Sequence, residues 1–134
     1  MTAPALGIPS GQRVALSILD KTGPVIAQSD PAATTNTDLL TVAGLAGEME
    51  YEGQLRVCNR GAGATFRVAI RPLGAAIADA HWITYDEAIA AGARAPVFED
   101  LILSSTDVLT VWASTGDLSF TFIGRQRQLQ VKFV

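Results

Sequence analysis

Turn-forming residues recur so often along this chain that no long helix fits between them. Glycine or proline interrupts the sequence at short intervals along most of its 134 residues. Between these interruptions apolar and polar residues alternate, which is the period of a strand with one buried face. The clearest case is residues 65–71, where Phe66, Val68 and Ile70 share one face and the arginines lie on the other. The pattern therefore predicts short strands.

The same reasoning over the whole chain predicts an all-β fold. Strands are expected at residues 13–19, 24–28, 39–43, 51–59, 65–71, 80–86, 96–103, 107–113, 117–123 and 125–134. Many of them follow one another at intervals of about 8–12 residues, which is typical of sandwiches and barrels. Residues 86–94 are rich in alanine and offer a helical turn as an alternative, but Gly92 and Pro96 would end it early. The prediction is an antiparallel β-sandwich, jelly-roll-like, with eight to ten short strands.

The length fits one domain with a terminal arm at each end. Residues 1–12 contain two prolines and two glycines and are predicted to be an N-terminal arm, and residues 13–124 to be the sandwich domain. Residues 125–134 are predicted to be a C-terminal strand or arm with one apolar and one polar face. Such a strand either completes its own sheet or extends the sheet of a neighbour by strand addition. The first interpretation is favoured, because most terminal strands close their own fold.

Charge and composition exclude several classes of function. The formal net charge is −3 and no basic patch is evident, so nucleic acid is not expected as a partner. No apolar run approaches the roughly 20 residues of a membrane helix, and the first residues do not resemble a signal peptide. Charged residues make up 17% of the chain, against about 25% in typical domains, which suggests that part of the surface does not face water.

The chain offers few groups for catalysis or metal binding. A nucleophilic Cys58 would need His81 beside it, and nothing in the sequence brings the two together, so Cys58 is predicted to be a packed thiol. A single cysteine and a single histidine leave no zinc-type ligand cluster. No glycine motif for phosphate binding is present.

The carboxylates do not form a convincing site either. Glu48, Glu50 and Glu52 alternate and would share one face of a strand, where a solvated or ion-paired face is favoured over a calcium site. The acidic pairs at 86–87 and 99–100 could serve a glycosidase only across a sugar-binding cleft, and no aromatic-rich stretch forms one. No catalytic residue, metal site or cofactor is therefore predicted.

Arginine dominates the basic residues, with eight arginines to two lysines. Arg56, Arg60, Arg67 and Arg71 are predicted to point outward from two adjacent strands. Arginine suits ion pairs at interfaces, but these side chains could also pair with carboxylates on their own sheet, and both can hold together. The predicted interface residues are Arg56, Arg60, Arg67, Arg71, Arg125, Arg127, Leu129, Val131 and Phe133.

Three stretches carry a family resemblance. They are LRVCNRGAGATFRVAIRPL at 55–73, WITYD at 82–86 and DVLTVWASTGDLSFTFIG at 107–124. Together they resemble a family of small virion proteins of tailed bacteriophages. In that family a strand ending in Val-Cys-Asn-Arg leads to Thr-Phe-Arg-Val-Ala, followed by a Tyr-Asp strand and a Val-Tyr-Ala-Ser-Thr-like hairpin. The resemblance covers residues 39–124, and Trp112 stands where the family often has tyrosine.

The resemblance implies a non-enzymatic structural protein that is made in the host cytoplasm and assembles in several copies on a virion. The implied location is the tail, baseplate, neck or fibre-attachment region, with capsid decoration as the alternative. Expected partners are further copies of the chain, with a trimer favoured, and other virion proteins. A second alternative is a carbohydrate-binding module for a host surface glycan, with Tyr51, Trp82, Tyr85 and Trp112 as a stacking platform, although burial of most of these rings is expected.

Overall fold

Eight antiparallel strands make up the computed structural model, which describes residues 23–45 and 47–128. The strands are β1 (Gly23–Ser29), β2 (Thr37–Thr41), β3 (Met49–Asn59), β4 (Ala64–Arg71), β5 (Trp82–Ile89), β6 (Arg94–Ser104), β7 (Val108–Ala113) and β8 (Leu118–Gln128). Within these ranges the only helical segments are two short 3₁₀ turns between β4 and β5, Pro72–Gly74 and Asp79–His81.

The strands form two four-stranded sheets. The first sheet has the order β1-β8-β3-β6 and the second has the order β2-β7-β4-β5. The first strand thus pairs with the eighth, the second with the seventh, the third with the sixth and the fourth with the fifth. This nesting is that of a long hairpin rolled around itself, the double-sheet jelly roll. The predicted all-β, jelly-roll-like sandwich is confirmed.

Most predicted strands lie close to observed ones, with two differences. Residues 118–123 and 125–128 belong to one strand, β8, so the predicted interruption at Gly124 is not observed. The helical turn considered for residues 86–94 is also absent, because β5 continues to Ile89 and the chain turns at Gly92 with a φ of 67°. The predicted arm at 1–12, the predicted strand at 13–19 and residues 129–134 lie outside the described residues.

The core lies between the sheets, where alternate side chains of facing strands meet. In β3, buried Tyr51, Leu55 and Val57 alternate with outward-facing polar residues. The rings of Phe66 in the second sheet and Phe120 in the first meet edge-on with centroids 6.1 Å apart. Burial of this continuous apolar layer supplies the main driving force for folding.

Two facing glycines allow the central strands of the first sheet to approach closely. β3 and β8 pair in unbroken register over eleven residues, and Gly53 lies opposite Gly124. A Cβ atom on Gly53 would lie 2.6 Å from the Cα of Gly124, and one on Gly124 would lie 2.7 Å from the Cα of Gly53. Each would also collide with a backbone carbonyl of the opposite strand. No side chain fits at either position.

A buried asparagine ties the end of β3 to two turns. The Asn59 side chain, 1% exposed, donates from Nδ2 to the carbonyl oxygens of Ala62 (2.7 Å) and Ala90 (3.1 Å). Its Oδ1 accepts a hydrogen bond from the Gly61 amide at 2.9 Å. Because buried amide groups are costly without partners, this residue fixes the β3–β4 and β5–β6 turns relative to each other.

We expect Gly124→Ala to destabilise the protein by about 3 kcal/mol, because the new methyl group must push β3 away from β8. Gly116→Ala is the matched control, since a Cβ atom at Gly116 has no neighbour within 4 Å. Urea unfolding monitored by circular dichroism measures both. Equal stability of the two variants would contradict the close approach.

Candidate functional site

The four arginines at 56, 60, 67 and 71 do not share one surface. β3, which carries Arg56 and leads into Arg60, belongs to the first sheet, whereas Arg67 and Arg71 lie on β4 in the second. The expectation that the two strands are adjacent is wrong, because the chain crosses from one sheet to the other between them. Arg56 and Arg60 therefore lie on one side of the sandwich, and Arg67 and Arg71 lie on the other side.

Several predicted interface arginines form ion pairs within the chain. The pairs are Arg60–Asp30 (2.8 Å), Arg67–Asp86 (2.7 Å), Arg71–Asp38 (2.9 Å) and Arg127–Glu50 (2.6 Å). Arg71 contacts both oxygens of Asp38 and donates from Nε to the buried Thr110 hydroxyl at 3.1 Å. These arginines therefore pair with carboxylates of their own chain, as the sequence analysis allowed. Their charge is partly neutralised before any partner binds.

A β-bulge in β5 creates the most distinctive local geometry. Phe66 pairs with Glu87 and Val68 pairs with Thr84, so Tyr85 and Asp86 together face the single residue between them, Arg67. Asp86 adopts a φ of 54°, a left-handed conformation that aspartate tolerates better than most residues. Bulges of this kind change the direction of a side chain and are frequent near functional sites.

The bulge builds a cluster around Arg67, which we call the arginine–aromatic cluster: Arg67, Trp82, Tyr85, Asp86 and Trp112. The Arg67 guanidinium carbon lies 3.9 Å from the ring centroids of both Tyr85 and Trp112 and 6.0 Å from that of Trp82. Its Nε donates to Asp86 Oδ1 at 2.7 Å, and this hydrogen bond raises the pKa of the Arg67 guanidinium. The cation is therefore held between two aromatic faces, an arrangement favoured by cation–π attraction.

The cluster brings together three of the four aromatic residues considered as a sugar platform. Trp82 and Tyr85 meet edge-on with centroids 5.6 Å apart, and Trp112 lies across Arg67 from Tyr85. Tyr51 is instead buried in the core. The expectation that most of these rings are buried is wrong: of the four, only Tyr51 is buried, Trp82 and Trp112 are half-buried, and Tyr85 is 57% exposed. The period-two pattern does not reveal the bulge that brings Tyr85 and Asp86 to the same arginine.

The outer face of the first sheet carries a second feature, a shallow groove that we call the arginine groove. The residues that line it include Arg56, Cys58, Arg94, Ser119, Thr121 and Ile123. Within residues 23–45 and 47–128, Arg56, Arg94 and Arg125 form no ion pair with another described residue. The prediction that Cys58 is packed is wrong: it alternates with buried Val57 and Asn59 and therefore faces outward.

The structure does not assemble a catalytic set from the candidates in the sequence. Cys58 lies on the outer face of the first sheet, whereas His81 precedes β5 of the second and accepts a hydrogen bond from the Ala78 amide. The two acidic pairs are on different sheets, at 86–87 in β5 and at 99–100 in β6. The described part of the chain contains no group of three or more potential metal ligands.

Two of the remaining predicted interface residues lie within the described part of the chain. Arg125 and Arg127 belong to β8, whereas Leu129, Val131 and Phe133 lie outside the described residues. No helix among residues 23–45 and 47–128 has the length and apolarity to cross a membrane.

No protein-family model matches the chain, and no curated protein matches it. Among solved structures, the chain is similar to a pentameric capsid protein isolated from metagenomic phage sequences, with a TM-score of 0.38 and 17% sequence identity. The match covers 82% of this chain, which spans 61% of the length of that protein. A TM-score this low supports no argument about function.

We expect Arg67→Lys to shift the tryptophan emission spectrum and to lower the urea midpoint, because a lysine ammonium cannot stack flat between two rings. Both tryptophans of the chain, Trp82 and Trp112, belong to the cluster, so intrinsic fluorescence reports on this site specifically. Arg56→Lys on the other sheet is the matched control and should leave the spectrum unchanged. Identical spectra for the wild type and Arg67→Lys would contradict the stacked geometry.

Proposed function

We propose that this chain is a non-enzymatic structural subunit of a tailed-bacteriophage virion that assembles in several copies. Two observations support the class: the resemblance of residues 39–124 to small virion proteins, and the jelly-roll fold, which recurs in viral capsid proteins and also in lectins. Because a fold alone does not determine function, the surface must carry the argument.

The observation that carries the proposal is the arginine–aromatic cluster. Tryptophan, tyrosine and arginine are the residues that most often dominate the binding energy of protein interfaces. Here they are fixed before any partner arrives, since Arg67 stacks on two rings and pairs with Asp86. The chain maintains this arrangement despite a left-handed backbone at Asp86, a type of local strain that clusters at binding and active sites. A rigid aromatic surface of this kind suits adhesion.

The location that we propose is the tail, baseplate, neck or fibre-attachment region, with capsid decoration as the alternative. Repetition around a symmetric particle would multiply weak individual contacts into stable attachment. The copies would contact one another and neighbouring virion proteins, with three copies favoured.

Purified particles of the phage that encodes the chain test this proposal directly. We expect quantitative mass spectrometry to find the chain in several copies per particle, and immunogold labelling to mark the tail. Label over the head would support the capsid-decoration alternative instead. Absence of the chain from particles that contain the other structural proteins would refute the proposal.

Glycan binding is the second candidate, and the exposed ring of Tyr85 favours it. Sugars stack on open aromatic faces, but Arg67 lies 3.9 Å from the ring centroids of Tyr85 and Trp112 and occupies one face of each. The cluster therefore offers less stacking surface than the number of its rings suggests.

We expect no fluorescence change on titration with sugars to millimolar concentration, because Arg67 already covers one face of the Tyr85 ring and one face of the Trp112 ring. A saturable change that Tyr85→Ala abolishes would establish the glycan-binding alternative. The same variant must retain its cooperative urea unfolding for that conclusion to hold.

A further inference from the structure

The two most exposed large hydrophobic side chains of the described residues lie at the same end of the sandwich. Leu45 is 67% exposed and Leu73 is 69% exposed. The first belongs to the β2–β3 connection and the second to the β4–β5 connection, and both connections contact the β6–β7 turn. In that turn the Asp107 carbonyl oxygen accepts a hydrogen bond from the Val42 amide (3.0 Å), and Asp107 Oδ1 accepts one from the Leu73 amide (3.1 Å). We call Leu45 and Leu73 the leucine tip.

The backbone of the leucine tip is fixed by hydrogen bonds from both sides. Leu73 adopts a φ of 54°, a left-handed conformation that is uncommon for leucine and of a type that clusters at binding sites. Arg71 holds this loop, since its Nη1 donates to the carbonyl oxygen of Ala75 at 2.8 Å. The Leu45 amide donates to Glu48 Oε1 at 3.3 Å. Little backbone freedom therefore remains to be lost when the tip binds a partner.

The segments that carry the leucine tip contain no charged residue. Residues 43–47 read AGLAG and residues 72–78 read PLGAAIA. Ile77, 39% exposed, adds a further aliphatic side chain to the second segment. Apolar side chains that are grouped at one place on a surface mark an interaction site, whereas scattered ones do not. The tip therefore fits an apolar, uncharged surface on its partner.

The opposite end of the sandwich carries a shallow pocket of that kind, which we call the alanine pocket. It lies where β4 begins and β5 ends and has a volume of about 690 Å³, within the range of ligand pockets. The residues that line it include Gly63, Ala64, Ala88, Ile89, Ala90 and Ser114. None of its described lining residues is charged, and most of them are small enough to leave room for a leucine side chain.

The rim of the alanine pocket is fixed before any partner binds. Asn59 Nδ2 donates to the carbonyl oxygens of Ala62, in the β3–β4 turn, and Ala90, in the β5–β6 turn. These two turns border the pocket on either side. The pocket and the tip are thus both preformed.

The leucine tip and the alanine pocket cannot meet within one chain. β4 begins beside the pocket at Ala64 and ends at Arg71, two residues before Leu73. Its eight residues span about 25 Å at the rise of a β-strand. A contact between tip and pocket therefore requires two copies of the chain.

We propose that the leucine tip of one copy binds in the alanine pocket of the next copy. The inference rests on the proposed multi-copy assembly and names the surfaces that join the copies. A second copy is the occupant because the chain carries both halves of this uncharged contact at opposite ends, so that the same contact repeats from copy to copy. Contacts between unlike surfaces close into a ring or continue as a filament.

Disulfide cross-linking tests the contact. A Cys58→Ser background removes the one native thiol, and Leu73→Cys with Ala88→Cys then places one thiol at each end of the chain. We expect oxidation to produce trimers and longer products on a non-reducing gel, because each copy can bond a neighbour at both ends. Leu73→Cys alone in the same background should produce no product longer than a dimer.

The matched control moves the second thiol to a position outside the pocket. Gly116 lies in the β7–β8 turn, at the same end as the pocket, and a Cβ atom there has no neighbour within 4 Å. Leu73→Cys with Gly116→Cys should therefore give few products longer than dimers. Equal yields of long products from this control would show random collision and overturn the contact.

A charge at the tip tests the apolar nature of the contact. Leu45→Asp, added to the chain with thiols at 73 and 88, should lower the yield of long products at least about tenfold, because a carboxylate must then lose its water. Added salt should leave the yield unchanged, since no ion pair holds the contact. Urea midpoints equal to that of the parent chain establish that each variant is folded.

Each outcome decides the inference. Products no longer than dimers overturn the contact, including the cases in which a different virion protein or the chain's own terminal residues occupy the tip. If particles contain several copies of the chain while cross-linking stops at dimers, only this contact fails and the proposed function stands. Long products from a chain that is absent from particles would establish the contact and overturn the proposed function.

Discussion

The close approach of β3 and β8 at Gly53 and Gly124 is the constraint on which the first sheet depends. β8, the last strand, pairs with the first strand, β1, on one side and with β3 on the other. A side chain at either glycine would separate the backbones and interrupt a ladder of eleven residue pairs. The same sheet carries half of the core, so this backbone contact also determines where Phe120 and Phe122 meet the opposite sheet.

Alternation of apolar and polar residues predicts most of the strands, because each strand has one buried face. The period of two is visible wherever the outer face of a strand carries polar residues. In β3, the alternation of buried Leu55 and Val57 with outward-facing Arg56 can be predicted from the sequence without tertiary information. Gly124 is misleading for a physical reason: glycine marks turns, but it also marks close contacts between strands. Only the partner strand, far away in the sequence, distinguishes the two cases. Sheet order is likewise not visible in the local sequence, and for this reason the prediction that β3 and β4 are adjacent is wrong.

The candidate site was harder to predict because its residues are brought together by an irregularity. An outward Arg67 is evident from the alternation in β4, and its position opposite Trp112 follows once β4 and β7 are known to pair. The approach of Tyr85 and Asp86 to the same arginine requires two residues of β5 to face one residue of β4. No periodic rule anticipates that mismatch. The four arginines were correctly expected to be outward, but the sequence could not reveal which of them form ion pairs within the chain.

Three of the four edge strands, β6, β2 and β5, are irregular, which disfavours backbone pairing with another chain along them. The register of β6 shifts twice beside β3, β2 is five residues long with a register shift, and β5 is interrupted by its bulges. Such features are known to protect sheet edges from uncontrolled strand addition. In β5 the bulge has a second consequence, since it also provides Arg67 with both a ring and a carboxylate. One departure from regular geometry therefore disfavours indiscriminate β-pairing at this edge and also assembles the arginine–aromatic cluster.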